Sequence, residues 1–240
     1  MDVKLVITED GSHSLFVPGL DEHYHSIHGA ISESQHIFID AGLKYSLKEK
    51  TSVNILEIGF GTGLNAILTL LELSKPAYRQ GRHNVQCEYT AIETFPLEKE
   101  TYSLLNYPEI LCMKNDSFLI MHDSPWNKKT TISSLFVLQK ILGKAQEIML
   151  PENYFDVVYF DAFAPNVQPE MWTKNIFFSI YRSMKTAAVL TSYSTKGDVK
   201  RVLKEIGFTI EKLAGPKGKR EILRAVKIRD DGCLPTLKPT

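Results

Sequence analysis

A glycine-rich turn is the first feature of the sequence that is suited to ligand chemistry. It reads Gly59-Phe-Gly61-Thr-Gly63 and lies between the apolar run 53–58 and an apolar, helix-like segment that begins at Leu64. Glycine permits positive φ angles and lets a ligand approach the backbone closely. A dinucleotide fingerprint, G-x-G-x-x-G, would need glycine where Leu64 stands. The turn therefore favours a ligand other than a dinucleotide.

Acidic residues mark the ends of two further predicted strands. Glu93 ends the strand 87–93, and Asp161 follows the strand 154–160. Ligands of open α/β sheets bind at the carboxyl ends of the strands, so both side chains are expected to face the same crevice as the turn. A carboxylate at the position of Glu93 can accept hydrogen bonds from two ribose hydroxyls. The arrangement predicts a nucleoside-containing ligand.

The pattern E-x-G-x-G-x-G that begins at Glu57 resembles the first motif of S-adenosylmethionine-dependent methyltransferases. The resemblance implies that backbone N–H groups of the turn meet the amino acid moiety of the cofactor, while Glu57 orients its ammonium directly or through water. The expected cofactor is S-adenosylmethionine or a close analogue such as its decarboxylated form. The predicted cofactor-binding residues are Glu57, Gly59, Phe60, Gly61, Gly63, Leu64, Asn65, Glu93 and Asp161.

The loop after Asp161 carries aromatic residues and two prolines. Pro165 and Pro169 stiffen it. Phe163 and Trp172 could stack on a base or contact a sulfonium by cation–π attraction. For Trp172 the alternative is simple packing within the helix predicted over 169–184. Asp161 is unsuited to capping that helix, because the helix begins later in the sequence.

Several stretches, spread over about residues 15–225, carry a more specific resemblance. They are Asp21–Ser26, Gly29–Ser34, Leu56–Asn65, Asp161–Pro165, Gln168–Thr173, Gly197–Arg201, Gly207-Phe208 and Lys219–Glu221. Together they resemble the methyltransferase domain of MnmC, a bifunctional enzyme that modifies the wobble uridine of tRNA. The resemblance implies methylation of the amine of 5-aminomethyluridine, often 2-thiolated, in the anticodon region. It also implies a separate upstream enzyme that supplies the amine, since 240 residues leave no room for the flavin-dependent oxidase half.

This reaction suggests roles for the Asp161 loop. Only a neutral amine attacks a methyl group, and an apolar pocket lowers the pKa of an amine. We expect Phe163 and Pro165 to form that pocket, and Asp161 to orient the amine and accept its proton, directly or through water. These three residues are the predicted catalytic group.

One position departs from the family pattern. After the strand predicted over 135–142, the family has an acidic residue near the adenine, whereas this sequence has Gly143-Lys144. Either Asp116 or Glu147 takes that role, or backbone and apolar contacts hold the adenine.

The charge distribution points to a polyanionic partner. The whole chain has a formal net charge of zero, yet residues 182–229 contain thirteen Lys and Arg against four acidic residues. Such asymmetry suits nucleic acid, although a solvated, salt-bridged surface would also produce it. The residues predicted to contact tRNA are Trp172, Lys200, Arg201, Lys217, Lys219 and Arg220.

Strands that alternate with helices predict the scaffold. After residue 50, the pattern indicates a mostly parallel, doubly wound α/β sheet of the class I methyltransferase type. The connection 214–220 is too short for a helical crossover, so the last two strands are expected to be antiparallel. Before residue 50, a hairpin over 3–17 and a mainly helical stretch over 21–47 form an appendage. The predicted divisions are 1–50, 51–229 and a tail at 230–240.

Other classes find less support. The three cysteines lack metal-ligand spacing, and no zinc-type histidine motif is present. No apolar run reaches membrane-spanning length, and no signal peptide is recognisable, so a cytoplasmic enzyme is expected. Two alternatives remain: a small-molecule amine methyltransferase or aminopropyltransferase, and a non-catalytic tRNA-binding module.

Overall fold

The N-terminal segment forms a small sheet and a helix. The computed structural model describes residues 2–47, 50–75 and 84–228. Strands β1 (Lys4–Ile7), β2 (His13–Val17) and β3 (Glu22–His23) pair antiparallel in that order. Helix α1 (Ala30–Ser34) follows and continues as a π-helical segment, Gln35–Lys44. The hairpin predicted over 3–17 is confirmed.

An eight-stranded sheet forms the centre of the protein. Its strands in chain order are β4 (Ser52–Ile58), β5 (Gln86–Glu93), β6 (Lys129–Ser133), β7 (Phe136–Leu142), β8 (Phe155–Phe160), β9 (Met184–Ser192), β10 (Phe208–Ala214) and β11 (Glu221–Lys227). Their order across the sheet is β10-β11-β9-β8-β4-β5-β7-β6. The five central strands pair in parallel, whereas β11 is antiparallel to both β9 and β10. The predicted class I architecture with its antiparallel final hairpin is confirmed.

Helices connect and cover the strands. They are α2 (Leu64–Leu73), α3 (Lys99–Tyr102), α4 (Tyr107–Ile110), α5 (Ser117–Asp123), α6 (Lys174–Ser183) and α7 (Gly197–Ile206). A 3₁₀ turn, Pro169–Trp172, precedes α6. Gly207, with a φ of 116°, ends α7 in the left-handed conformation that glycine commonly adopts after a helix.

The central strands are apolar on both sides because each face of the sheet is covered. Along β4, Val53 and Ile55 belong to one core cluster and Leu56 and Ile58 to another, as alternation in a strand requires. Phe38 from the π-helical segment packs in the first cluster. The N-terminal segment thus shares a core with the sheet and lies next to the carboxyl ends of its strands.

The structure corrects several predicted elements. Residues 21–29 are not helical: Glu22 and His23 pair with β2, and the chain then turns to Gly29, whose φ of 136° lies outside the helical region just before α1 begins. The sequence pattern also predicts a helix over 97–105 and an irregular connection over 115–130, whereas the structure has only the short α3 in the first range and contains α5 in the second. The tail 230–240 and most of the loop 74–84 lie outside the described residues.

Candidate cofactor and substrate site

A cavity of about 450 Å³ lies at the carboxyl ends of β4, β5 and β8. The glycine turn, Glu93 and the Asp161 loop line it from the sheet, as the sequence predicts. The N-terminal segment closes the other side with residues 22–28 and Glu33, and the loop between β10 and β11 adds Lys219. A volume of this size suits a small-molecule ligand.

The glycine turn is bound to its neighbours through the backbone. Gly59, Gly61 and Gly63 have φ angles of 91°, 49° and 71°. The Gly59 N–H donates to the carbonyl oxygen of Ile92 at 2.9 Å. A Cβ on Gly59 would lie 2.8 Å from the carbonyl oxygen of Asp161. Glycine at position 59 therefore permits both the left-handed conformation and the contact between the turn and the Asp161 loop.

Two buried histidines fix Thr62 within the turn. Nε2 of His25 lies 2.8 Å from the Thr62 hydroxyl, and Nε2 of His122 lies 3.1 Å from the Thr62 carbonyl oxygen. Burial lowers the pKa of each imidazole to about 4, so both are neutral at pH 7. The His25 contact joins the N-terminal segment directly to the turn.

The Glu93 carboxylate organises the backbone around it. Oε2 accepts a hydrogen bond from the Gly61 N–H at 2.9 Å, and Oε1 accepts from the N–H groups of Thr94 and Phe95 at 2.8 Å each. These bonds use three of the roughly four acceptor sites of a carboxylate. A ribose hydroxyl can therefore use only the acceptor site that remains. Glu93 thus faces the cavity and also positions the glycine turn through its bond from Gly61.

Asn65 connects two acidic residues at the start of α2. Its Nδ2 donates to Glu57 Oε1 at 2.9 Å and to Asp161 Oδ2 at 2.8 Å. Burial raises the pKa of Asp161 to about 7, against the opposing effect of the Asn65 hydrogen bond. Burial likewise raises the pKa of Glu57 well above its usual range. Asp161 is therefore able to exchange a proton near neutral pH.

The aromatic residues of the Asp161 loop have different positions. Phe163 lines the cavity, and its ring meets that of Tyr24 edge to face at a centroid distance of 5.2 Å. Trp172 is instead buried in the second core cluster, where its Nε1 donates to the Phe163 carbonyl oxygen at 2.8 Å. Pro165 also lies outside the cavity lining. Trp172 thus supports the loop from behind, which favours the packing alternative over stacking on a base or contact with tRNA.

Neither of the two acidic residues suggested as partners of the adenine reaches the cavity. Neither Asp116 nor Glu147 lines the cavity, and Lys144 pairs with Glu147 at 3.6 Å on the surface. Ile92, Phe95 and Ala145 do line it. Of the alternatives left by the sequence, this placement favours backbone and apolar contacts.

Lys219 lies in the cavity wall rather than on an open basic surface. Its Nζ is 3.2 Å from Oε1 of Glu33 and 5.0 Å from the centre of the Tyr193 ring. The Tyr193 hydroxyl in turn donates to the carbonyl oxygen of Ala162, next to Asp161, at 2.8 Å. Sequence reasoning missed Tyr24, Glu33 and Tyr193, although Tyr24 and Glu33 fall within the stretches that carry the family resemblance.

The basic residues of α7 lie close to the same edge of the sheet. Lys196, directly before the helix, donates to Asn166 Oδ1 at 2.9 Å and so joins the start of α7 to the Asp161 loop. Lys200 and Arg201 follow one turn later, and Arg201 pairs with Asp198. These residues can meet a large substrate that reaches the cavity.

The loop between β10 and β11 also presents cations. Lys217 pairs with Glu9 at 2.7 Å while its side chain remains 73% exposed, and Arg220 is exposed. Other basic residues of the segment are neutralised within the protein. These pairs are Arg182–Glu152, Lys185–Asp156, Lys212–Glu221 and Arg224–Glu211. The basic surface is therefore smaller than the charge count suggests.

The described part of the chain shows neither a metal-binding cluster nor a membrane-spanning helix. Within residues 2–47, 50–75 and 84–228, no three His, Cys, Asp or Glu side chains are grouped to hold a metal ion. No helix in these ranges has the length and apolar character that crossing a membrane requires.

Comparisons with known proteins agree with this geometry. Residues 122–228 match a family described as S-adenosyl-L-methionine-dependent methyltransferase. The bifunctional protein MnmC of Magnetococcus marinus, named for tRNA 5-methylaminomethyl-2-thiouridine biosynthesis, is 29% identical over 218 residues, which cover 88% of this chain and 32% of that protein. MnmC of Idiomarina loihiensis is 30% identical over 219 residues, covering 85% and 35%. The chain spans about a third of the length of these curated relatives.

Solved structures also show a similarity to MnmC-type proteins. MnmC2 from Aquifex aeolicus superimposes with a TM-score of 0.75 at 26% identity, covering 93% of this chain and 69% of that one. The chain is a class I S-adenosylmethionine-dependent methyltransferase. A spermidine synthase in complex with the transition-state analogue AdoDATO shares the fold, with a TM-score of 0.58 at 14% identity. The resemblance to the methyltransferase domain of MnmC is confirmed.

The site of this methyltransferase suits its cofactor. Asn65 Oδ1 is buried in the cavity wall and has no hydrogen-bond partner among the described residues. It can accept from the cofactor's ammonium, whose positive charge would also favour the ionised form of the nearby Glu57. The predicted cofactor-binding residues that line the cavity are Gly59, Phe60, Gly61, Leu64, Asn65, Glu93 and Asp161, whereas Glu57 and Gly63 lie outside the lining.

Proposed function

We propose that this methyltransferase converts 5-aminomethyluridine, with or without a 2-thio group, to 5-methylaminomethyluridine at the wobble position of tRNA. The observation that carries the proposal is the cavity itself, which combines the cofactor turn with two carboxylates, Asp161 and Glu33. Such a site suits a cationic amine that must lose a proton before it reacts. The names of the MnmC relatives, which match 88% and 85% of this chain, support the same substrate.

Different residues of the site would carry out proton transfer and the exclusion of water. When bound, S-adenosylmethionine supplies the methyl group as an electrophile. Asp161 accepts a proton from the substrate ammonium, which frees the nitrogen lone pair for in-line attack. Phe163 and Tyr24 exclude water from the reacting atoms. The cofactor, held by the glycine turn and Asn65, would supply the methyl group and keep the electrons of its C–S bond as a neutral thioether leaving group, while Asp161 would retain the proton until the methylated amine leaves.

We assign the cofactor's parts to the remaining residues. The backbone of Gly59–Gly63 and the side chain of Asn65 hold its amino acid moiety, and Glu57 acts from behind through its hydrogen bond from Asn65. Glu93 faces its ribose, and Ile92, Phe95 and Ala145 contact its adenine. Phe60 and Leu64 complete the apolar wall. A separate upstream enzyme is proposed to supply the amine, and the tRNA substrate implies a cytoplasmic reaction.

The tRNA body is proposed to lie across α7 and the β10–β11 loop. Replacing Lys200 and Arg220 together by Ala should weaken tRNA binding by about tenfold near 0.1 M salt and reduce the salt slope by about two, because two phosphate contacts are lost. Filter binding across a salt series measures both quantities. Lys129→Ala is the matched control, because Lys129 lies on β6 at the opposite edge of the sheet. An unchanged slope in the double variant would contradict this path.

The function is tested with purified protein and methyl-labelled cofactor. The acceptors are tRNA that carries 5-aminomethyluridine, the same tRNA already methylated, and an unmodified transcript. We expect label only on the first, and nucleoside mass spectrometry should identify 5-methylaminomethyluridine. Transfer to free polyamines instead of tRNA would favour the small-molecule alternative. Cofactor binding without transfer to any acceptor would favour the non-catalytic module.

A further inference from the structure

The interior of the cavity contains a cation that takes no part in the proton transfer to Asp161 or in cofactor binding. Lys219 has a side chain only 29% exposed, and its ammonium is placed between the Glu33 carboxylate and the face of the Tyr193 ring. Phosphate contacts on an open surface would not require this placement. Lys219 lines the same cavity as the proton acceptor Asp161, so its positive charge interacts with any charged substrate group that binds there.

Glu33 holds Lys219 in this position. Its Oε2 accepts a hydrogen bond from the Ser26 N–H at 2.7 Å, while Oε1 is buried and has its ion pair with Lys219 but no hydrogen bond within the described residues. The side chain of Glu33 is 11% exposed. Its rotation is thus fixed by the loop 22–28, and its charge faces the cavity.

We propose that Lys219 is a specificity-determining residue that keeps the substrate amine uncharged in the bound complex, and that Glu33 positions it and limits its effect. The inference rests on the proposed function. A nearby positive charge disfavours a second ammonium, as happens to lysines beside other cations in enzymes. Glu33 acts in the opposite direction, because a carboxylate favours the ammonium form. The pair sets the charge state of the amine without touching the transferred methyl group.

The electrostatic surroundings of the Lys219 ammonium come from several elements. Glu33 belongs to α1, Asp161 and Tyr193 follow β8 and β9, and Glu22 and His28 belong to the N-terminal segment. Glu33 raises and Lys219 lowers the pKa of Asp161, secondary to burial. Lys219 therefore lowers the pKa of both Asp161 and the substrate amine, and Glu33 raises the pKa of both. The direction in which each substitution shifts the pH profile is thus definite.

The first test is the pH dependence of single-turnover methylation of tRNA that carries 5-aminomethyluridine. Lys219→Met should move the acidic limb of the profile upward by about one pH unit or more. Glu33→Gln should move it downward, and Lys219→Arg should leave it near the wild-type position. Lys212→Met is the control, because Lys212 is a cation on β10 of the same hairpin and lies outside the cavity.

A second measurement isolates the amine from Asp161. In an Asp161→Asn background, calorimetry in two buffers counts the protons released when the aminomethylated tRNA binds, with unmodified tRNA as the reference. Release should be smaller when Lys219 is also replaced by Met. The inference would be overturned if the acidic limb of the pH profile shifted in the same direction for Lys219→Met and Glu33→Gln, or if proton release did not change. The proposed function would still stand in that case, provided that methylation of the aminomethylated tRNA continues. Absence of any amine-dependent binding or transfer would overturn the proposed function as well.

Discussion

Asp161→Asn should lower kcat by about 10²- to 10⁴-fold while the Kd for S-adenosylmethionine stays within a few-fold of the wild-type value. The expected loss is that of a general base. Cofactor binding survives because the Asn oxygen can still accept the hydrogen bond from Asn65 that now reaches Asp161 at 2.8 Å. Single-turnover methylation and calorimetry measure the two quantities. Full activity in the variant, or in Asp161→Ala, would contradict the role of Asp161.

The same substitution should stabilise the folded protein above neutral pH. Burial raises the pKa of Asp161 to about 7, whereas an unfolded Asp titrates near 3.9. The unfolded chain therefore loses its proton first, and the wild type loses stability relative to Asp161→Asn as pH rises from about 4 to about 7. The Tm difference between the two proteins should grow over this window. A variant that lost activity through misfolding would instead have a lower Tm than the wild type throughout this range.

Asp156, at the other end of β8, provides a matched contrast. Burial disfavours its ionisation, but hydrogen bonds from Lys50 and Lys185 at 2.8 and 2.9 Å outweigh that effect and lower its pKa. Its contribution to stability is present above the unfolded pKa and is lost as pH falls. Asp156→Asn should therefore destabilise the protein at pH 7 and leave methyl transfer by the folded fraction intact. The same substitution near the start of β8 and directly after its end thus separates stability from catalysis.

The sheet and the turn could be predicted from local patterns, whereas the closed side of the cavity could not. The apolar runs of β4 and β8 and the glycines after β4 indicate a parallel sheet with a ligand at its carboxyl edge. The contact of His25 with Thr62 joins residues 37 positions apart, and no periodicity encodes it. The same holds for Lys219 and Glu33, whose charges are typical of surface residues until the hairpin loop is placed against the N-terminal segment.

Trp172 illustrates a different limit. Its position after Asp161 is compatible with both a stacking platform and a structural support, and the sequence contains nothing that decides between them. Its burial against Phe160, at a centroid distance of 4.8 Å, assigns it to the core. The indole N–H then holds the Phe163 carbonyl oxygen. We therefore expect Trp172 to influence the reaction only through the shape of the Asp161 loop.

Gly59→Ala should weaken S-adenosylmethionine binding by more than about tenfold and reduce turnover further. The new Cβ would lie 2.8 Å from the Asp161 carbonyl oxygen at a φ of 91°, so the turn and the Asp161 loop must separate. Gly11→Ala is the control, because Gly11 has a φ of 84° but a Cβ there would meet nothing within 4 Å. It should lose about 1 kcal/mol of unfolding free energy from backbone strain alone and keep cofactor affinity. Calorimetry and thermal unfolding of both variants separate strain from contact. Equal cofactor affinities in the two variants would mean that the approach of these two backbones does not shape the site.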